Sequence, residues 1–217
     1  HSQGTAGPAA PPCPRCDASA AHLVTAGHDA VLLEWAGGKT PAEVGMPALS
    51  PFIARDMSRF DHGAKSLRQG FSIELRLKLR SLDAGQIVLD SRTKGGQGIC
   101  VQTAERGTLG IVLNDGQTEN RWDCDPGMLE KDRWHHVVIT VDGGPNIITF
   151  VVDGRLGDGG ESRQFGWGRF SPSLLNVNGS GRLRIGSRFS GEIAALRLYG
   201  RALRISEAVG NFNAGKR

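Results

Sequence analysis

Hydrophobic and polar positions alternate most cleanly from Phe71 to Arg80. Phe71, Ile73, Leu75, Leu77 and Leu79 occupy one parity, and Ser72, Glu74, Arg76, Lys78 and Arg80 the other. A period of two predicts a β-strand with one buried and one wet face. A second pattern is apolar on both parities. Val137 to Val141 is β-branched throughout, Asp142-Gly143-Gly144-Pro145-Asn146 is a turn, and Ile147 to Val152 is the next apolar run before Asp153-Gly154. Such runs predict the paired central strands of a hairpin, covered on both faces. The rest of the chain is expected to pair with this hairpin, Trp134 to Gly154, or to pack over it.

Shorter runs predict further strands at Ala30 to Trp35, Gln86 to Asp90, Arg182 to Ile185 and Glu192 to Tyr199. Ile99 to Thr103, Leu109 to Leu113 and Thr118 to Trp122 form a meander, turning at Glu105-Arg106-Gly107 and Asn114-Asp115-Gly116. Pro41 to Ser58 reads as loop with a short helical turn. Gly157 to Gly181 is long and rich in Gly and polar residues, the kind of excursion that carries function or its own packing. Ala202 to Ala208 reads as a closing helical turn. Residues 1–21, rich in Pro and Ala, read as a linker or poorly ordered arm, which leaves 22–217 as a single domain.

Composition supports this reading. A chain of 217 residues with 31 glycines and short, regularly spaced strands suits one all-β sandwich or barrel. The net charge of +4 is spread singly along alternating strands rather than gathered in a run. That pattern argues against nucleic acid and leaves acidic ligands, including anionic glycans, open. No apolar stretch reaches membrane-spanning length. No charged-then-apolar leader precedes the fold, so a removed leader or an excerpt from a longer chain is expected.

The cysteines are Cys13, Cys16, Cys100 and Cys124. Cys13-Pro-Arg-Cys16 lies in the Pro/Ala-rich arm, away from any βαβ pattern, and no His follows it. The meander places Cys100 near Val112, and Val112 near Thr118. A Cys100–Cys124 disulfide therefore requires the chain after Trp122 to fold back, because bridged Cα atoms approach within roughly 7 Å.

His135 and His136 are adjacent on a strand and point to opposite faces, so they cannot grip one metal; both are read as structural, and Trp134 as core. Glu74 and Glu192 are read as surface charges, so no pair of carboxylates is placed for glycoside hydrolysis. Asp123 and Asp125 flank Cys124 with a spacing that could hold calcium, although capping a turn explains them better. Sugar binding needs an aromatic face for a pyranose and planar polar groups for its hydroxyls or acid. Arg121, Trp122, Arg163, Gln164, Trp167 and Arg169 supply both on presumed loops.

Several segments together resemble a known family. Trp134-His135-His136-Val137-Val138, Val141-Asp142-Gly143 and Phe150-Val151-Val152-Asp153-Gly154 are similar to laminin-G-like, concanavalin A-like lectin domains. So are Leu183-Arg184-Ile185-Gly186, Phe189-Ser190-Gly191-Glu192-Ile193, Leu196-Arg197-Leu198-Tyr199, Arg201-Ala202-Leu203 and Ser206-Glu207. Trp122-Asp123-Cys124-Asp125-Pro126-Gly127 and Gly166-Trp167-Gly168-Arg169-Phe170 resemble a bacterial branch found beside sialidase-like and other glycan-degrading enzymes. The resemblance implies an all-β antiparallel jelly-roll sandwich whose first and last strands pair. It also implies a non-catalytic carbohydrate-binding module of a secreted or periplasmic glycan-degrading protein, monomeric, binding an oligosaccharide or polysaccharide, with neither nucleic acid nor membrane as partner. A glycoside hydrolase or polysaccharide lyase on the same fold, and a protein-interaction or adhesion module, are the alternatives. Many family members hold Ca2+, but no calcium motif of the family matches here, so Asp123 and Asp125 stand on their spacing alone.

Overall fold

The computed structural model describes residues 30–52 and 70–215. The expected N-terminal arm, Cys13, Cys16 and the end of the Pro41 to Ser58 segment lie outside the described residues. Among the described residues, thirteen strands form two antiparallel sheets, and one α-helix follows them. The first sheet contains β1 (Val31–Trp35), β13 (Gly191–Tyr199), β3 (Gly70–Leu79), β8 (Trp134–Asp142), β9 (Ile147–Val152) and β10 (Arg155–Leu156) in that order, with β11 (Gly168–Arg169) also on β9. The second runs β2 (Ala42–Gly45), β12 (Arg182–Arg188), β4 (Ile87–Asp90), β5 (Gly98–Ala104), β6 (Thr108–Asn114) and β7 (Glu119–Asp123). The first and last strands pair, Glu34 opposite Arg197, as the resemblance implies.

The hairpin of β8 and β9 forms as expected, with Val137 opposite Val152 and Asp142 opposite Ile147. Asn146 takes the left-handed backbone (φ 58°) that its turn requires. The inward parity of β3 is buried as its period predicts, with Leu75, Leu77 and Leu79 fully enclosed. They face Val101, Leu109, Ile111 and Leu113 in one core between the sheets.

The outward parity of β3 departs from expectation. Ser72 and Glu74 are buried as well, because α1 (Ile205–Ala214) lies over this half of the outer face. Leu203 and Ala208 pack there against Val138, Val151 and Tyr199. The helix is longer than the closing turn read from Ala202 to Ala208. The Glu207 carboxylate satisfies its first turn by accepting the Arg204 backbone N–H at 2.8 Å. Glu74, read as a surface charge, is an internal acceptor. It meets His136 Nε2 at 2.7 Å, accepts from the Tyr199 hydroxyl and accepts from Asn211 Nδ2 on the helix at 3.2 Å. Burial alone would raise its pKa, but the bonds from His136 and Tyr199 outweigh it and hold the carboxyl below its usual value. Glu192 stays on the surface, 2.8 Å from Lys78.

His135 is enclosed in the opposite direction. Its Nδ1 lies 2.8 Å from Asp153 Oδ2, and its Nε2 accepts the Glu130 backbone N–H at 2.9 Å. Trp134, read as core, is instead 37 % exposed, since its parity is that of His136. Its ring lies 5.6 Å from the Arg76 guanidinium and 5.1 Å from Lys78 Nζ. Within the segment read as loop, Ala42–Gly45 is strand β2, drawn into the sheet by β12, whose Arg184 lies opposite Glu43.

Cys100 and Cys124 are free thiols, which overturns the Cys100–Cys124 bridge. Cys124 belongs to the core between the sheets, whereas Cys100 lies on the outer face of the second sheet beside Ile87 and Val112. The register of β7 is also further along than read, with Val112 opposite Arg121 rather than near Thr118.

Candidate functional site

The outer face of the second sheet gathers charge that is dispersed in sequence. Cross-strand register aligns Glu43, Arg184, Asp90, Cys100, Val112 and Arg121 in one row. Alternation along each strand adds Arg182 and Glu119 to the same face. Arg92, just past the end of β4, turns back onto Asp90, its Nε 2.9 Å from Asp90 Oδ1, and Arg184 Nη2 lies 3.1 Å from Asp90 Oδ2. Burial would raise the Asp90 carboxyl, but the bonds from Arg92 and the charges of Arg92 and Arg184 hold it below its usual value. It therefore stays ionised and splays two guanidinium groups around itself. Arg182 pairs with Glu43, and Arg121 with Glu119 at 2.6 Å. Lys94 is exposed, so its charge is open to solvent. Glu43, Arg92, Thr93, Lys94, Ser180, Arg182 and Arg184 line a cleft of about 250 Å3. Cations outnumber carboxylates here, and the hydroxyls of Thr93 and Ser180 add neutral donors and acceptors.

The residues singled out in sequence divide into three groups. Arg121 alone lies on this basic face. Trp122 and Arg163 form an internal clamp with Asp123 and Asp125. The Arg163 guanidinium donates to four oxygens: Asp123 Oδ1 at 3.2 Å, Asp123 O at 3.1 Å, Cys124 O at 2.9 Å and Asp125 Oδ1 at 2.9 Å. It lies 4.4 Å above the Trp122 ring. The other Asp125 oxygen accepts the Gly159 backbone N–H at 2.8 Å. The two carboxylates considered for calcium thus surround a guanidinium. Among the described residues, no group of three or more His, Cys, Asp or Glu side chains is placed to hold a metal ion. Gln164, Trp167 and Arg169 form the third group, exposed or half-buried on the long loop. Phe165, which sequence reading passed over, joins them. Its ring stacks on Trp167 with centroids 4.9 Å apart, and the Arg169 guanidinium lies 5.5 Å from the Trp167 ring. Phe170 turns inward against Phe52.

Glu74, His136 and Tyr199 are residue types used for acid–base chemistry. They lie beneath α1 rather than in an open cleft. Arg92, Lys94, Arg182, Arg184 and Glu43 were missed as site residues. Their signal was present as single charges at alternating positions, which reads equally well as a solvated sheet face. Only the pairing of β12 with β2 and β4 brings them together.

A two-sheet antiparallel sandwich with a basic outer face and a loop-borne aromatic row defines a lectin-like jelly roll. The chain belongs to the concanavalin A-like lectin/glucanase superfamily, whose laminin-G-type profile matches residues 57–208. Comparison with curated protein sequences gives no match. Among solved structures, the chain is similar to the Ruminococcus gnavus IT-sialidase CBM40 bound to α2,6 sialyllactose. The TM-score is 0.51 at 16% identity, over 77% of this chain and 96% of that one. It is also similar to the binding domain of botulinum neurotoxin DC in complex with rat synaptotagmin II, with TM-score 0.57 and 13% identity over 86% of this chain and 52% of that one. A third similar structure is botulinum neurotoxin type C, which depends on interaction with two ganglioside molecules to enter cells. Its TM-score is 0.50 at 16% identity, over 67% of this chain and 36% of that one. The chain spans about half or less of the toxin chains it matches. At these identities the likeness is one of fold.

Proposed function

We propose that the protein is a non-catalytic carbohydrate-binding module for acidic glycans, secreted or periplasmic, and accessory to a glycan-degrading enzyme. One observation carries the reading: an open cleft on the outer sheet face, lined by Arg92, Lys94, Arg182 and Arg184 with Glu43 as its one carboxylate. Planar guanidinium groups meet a carboxylate or sulfate through paired hydrogen bonds, and Arg184 and Arg92 are already oriented by Asp90. A group fixed before binding loses little freedom on binding. The sialyllactose and ganglioside partners of similar folds are themselves carboxylated glycans and support the acidic class.

A glycan array followed by titration calorimetry tests this. Sialylated or otherwise acidic glycans are expected to bind, neutral counterparts to bind at least about tenfold more weakly, and affinity to fall with added salt. Arg184→Ala is expected to abolish binding without lowering the melting temperature by more than a few degrees. Preference for neutral glycans, or release of reducing sugar on incubation, overturns the proposal.

A further inference from the structure

The chain from Phe165 to Phe170 alternates between buried and outward positions. Gly166, Gly168 and Phe170 are buried, Phe165 and Arg169 are exposed, and Trp167 is half-buried between them. The two glycines leave no room for an inward side chain. A Cβ on Gly168 would come within 2.1 Å of the Trp122 ring, and one on Gly166 within 2.0 Å of the Gly157 carbonyl. The segment therefore lies flat on its support, with its large side chains turned outward. Phe165 stacks on Trp167 at an interplanar angle of 23°, and the Arg169 guanidinium lies 5.5 Å from the Trp167 ring. Phe165 is nevertheless 47 % exposed. Its ring is held in place by Trp167 and keeps apolar area open to solvent.

This row is separate from the arginine-lined cleft. The cleft lies at β2, β12 and the end of β4, and strands β4, β5 and β6 stand between β12 and β7. Those four strand spacings amount to about 19 Å. The row is tied to β7: Ser171 N donates to Asn120 Oδ1 at 2.6 Å, and Trp122 Nε1 to Gly166 O at 3.4 Å. Asn120 and Trp122 have the parity opposite to Glu119 and Arg121, which lie on the basic face. The row thus sits on the other side of the edge strand, out of reach of a neighbouring sugar on a short glycan held in the cleft.

We infer that the row is a second glycan site, which takes an uncharged pyranose independently of the cleft. The pyranose places its C–H side on Phe165, where burial of apolar area drives the contact. Gln164 and Arg169, both exposed, offer planar donors to its hydroxyls. Arg92, Lys94, Arg182 and Arg184 line the cleft, whereas Arg169 brings a single cation to the row, and its guanidinium already lies against Trp167. An uncharged sugar therefore suits this site better than an acidic one. Size argues against a protein partner. A fully buried aromatic side chain covers about 150–250 Å2, so two partly exposed rings fall far short of the roughly 800 Å2 per partner buried in a stable protein interface.

Heteronuclear NMR titration of the full chain with lactose, maltose and cellobiose tests this. At least one of these sugars is expected to shift the amide resonances of residues 164–169 and the Trp167 indole resonance. Phe165→Ala should weaken that binding about fivefold or more. Phe165→Tyr should retain it, and Gln164→Ala should weaken it by a smaller factor. Arg184→Ala, or excess N-acetylneuraminic acid, should leave it unchanged. If none of the disaccharides moves residues 164–169, or if the shifts survive Phe165→Ala, this inference is overturned and the acidic-glycan reading stands. Displacement of the disaccharide by N-acetylneuraminic acid means one shared site and overturns it too. Shifts at residues 164–169 in a protein that binds no acidic glycan support this inference and overturn the acidic-glycan reading alone. An unchanged melting temperature of Phe165→Ala separates loss of contact from loss of fold.

Discussion

Arg163 and Asp125 lie 38 positions apart in the chain and 2.9 Å apart in space. This pair ties the long loop to the end of β7, and Trp122 beneath the guanidinium completes the tie. The side chains are 16 % and 6 % exposed, so removing one partner leaves a charge largely shielded from water. Arg163→Met should therefore cost about 2–4 kcal/mol. For a domain of this size that is a fall of very roughly 5–15 °C in Tm. Hydrogen exchange should accelerate across residues 157–170. Arg163→Lys should recover only part of the loss, because an ammonium cannot present the same fork to four oxygens. A wild-type exchange profile in Arg163→Met would show that packing on Trp122 and Gly168 holds the loop without the clamp.

The carboxylate of Glu74 makes stability depend on pH. Its pKa is lowered in the folded state from 4.5, so the folded protein binds its proton less readily than the unfolded chain. A lowered pKa contributes stability that is complete above the unfolded value and is lost as pH falls through the folded one. Melting curves of wild type and Glu74→Gln should differ most above about pH 5.5 and converge as pH falls below about 4. Other carboxylates contribute to the same window, since Asp90, Glu119 and Glu207 are lowered as well. The informative quantity is thus the difference between the two proteins. A difference that grows toward acid would mean that Glu74 is protonated in the fold.

The fold was legible because its signals are local. The alternation of Phe71 to Leu79 and the β-branched runs on either side of Asp142 to Asn146 each announce a strand without help from distant residues. The outer faces were not legible for the converse reason. Whether Glu74 is wet or buried depends on α1, which begins at Ile205. Whether Arg184 is a lone surface charge or half of a basic cleft depends on its register with Asp90. Long-range pairing also turned Ala42–Gly45 into a strand. The residues chosen for sugar binding by type alone split between the basic face, an internal clamp and an outward row. In a glycine-rich loop, type does not reveal which parity faces the protein; Gly166 and Gly168 do.

The two described cysteines should be unreactive in the native state. Burial pushes the Cys100 thiol up to about 11 and the Cys124 thiol up to about 12. The nucleophilic thiolate is therefore scarce at neutral pH, and reagent access is closed as well. Alkylation with iodoacetamide at about pH 8, read by peptide mass spectrometry, should leave both unlabelled over the time that a free peptide thiol reacts fully. Both should label after denaturation. Native labelling of Cys100 alone would report opening of the basic face, because Arg92, Arg121 and Arg184 surround that thiol.

Gly168 is the position where one added methyl group should do the most local harm. A side chain there would enter the Trp122 ring at 2.1 Å from its nearest atom, and that ring is fixed from its other contacts. Arg163 stacks on it, and its Nε1 is bonded to Gly166 O. Relief requires β11 to lift off, which breaks its pairing with Ile147 and Ile148 of β9. Overpacking of a tight contact typically costs 1–3 kcal/mol, so Gly168→Ala should lower stability by about 2 kcal/mol and shift tryptophan fluorescence to the red as Trp122 gains solvent. Phe165, Trp167 and Arg169 ride on the same segment. The substitution should therefore shift the amide resonances of residues 165–169 while leaving binding of an acidic glycan in the cleft intact. A loss confined to stability, with those resonances unmoved, would show that the outward row keeps its geometry independently of its seat on Trp122.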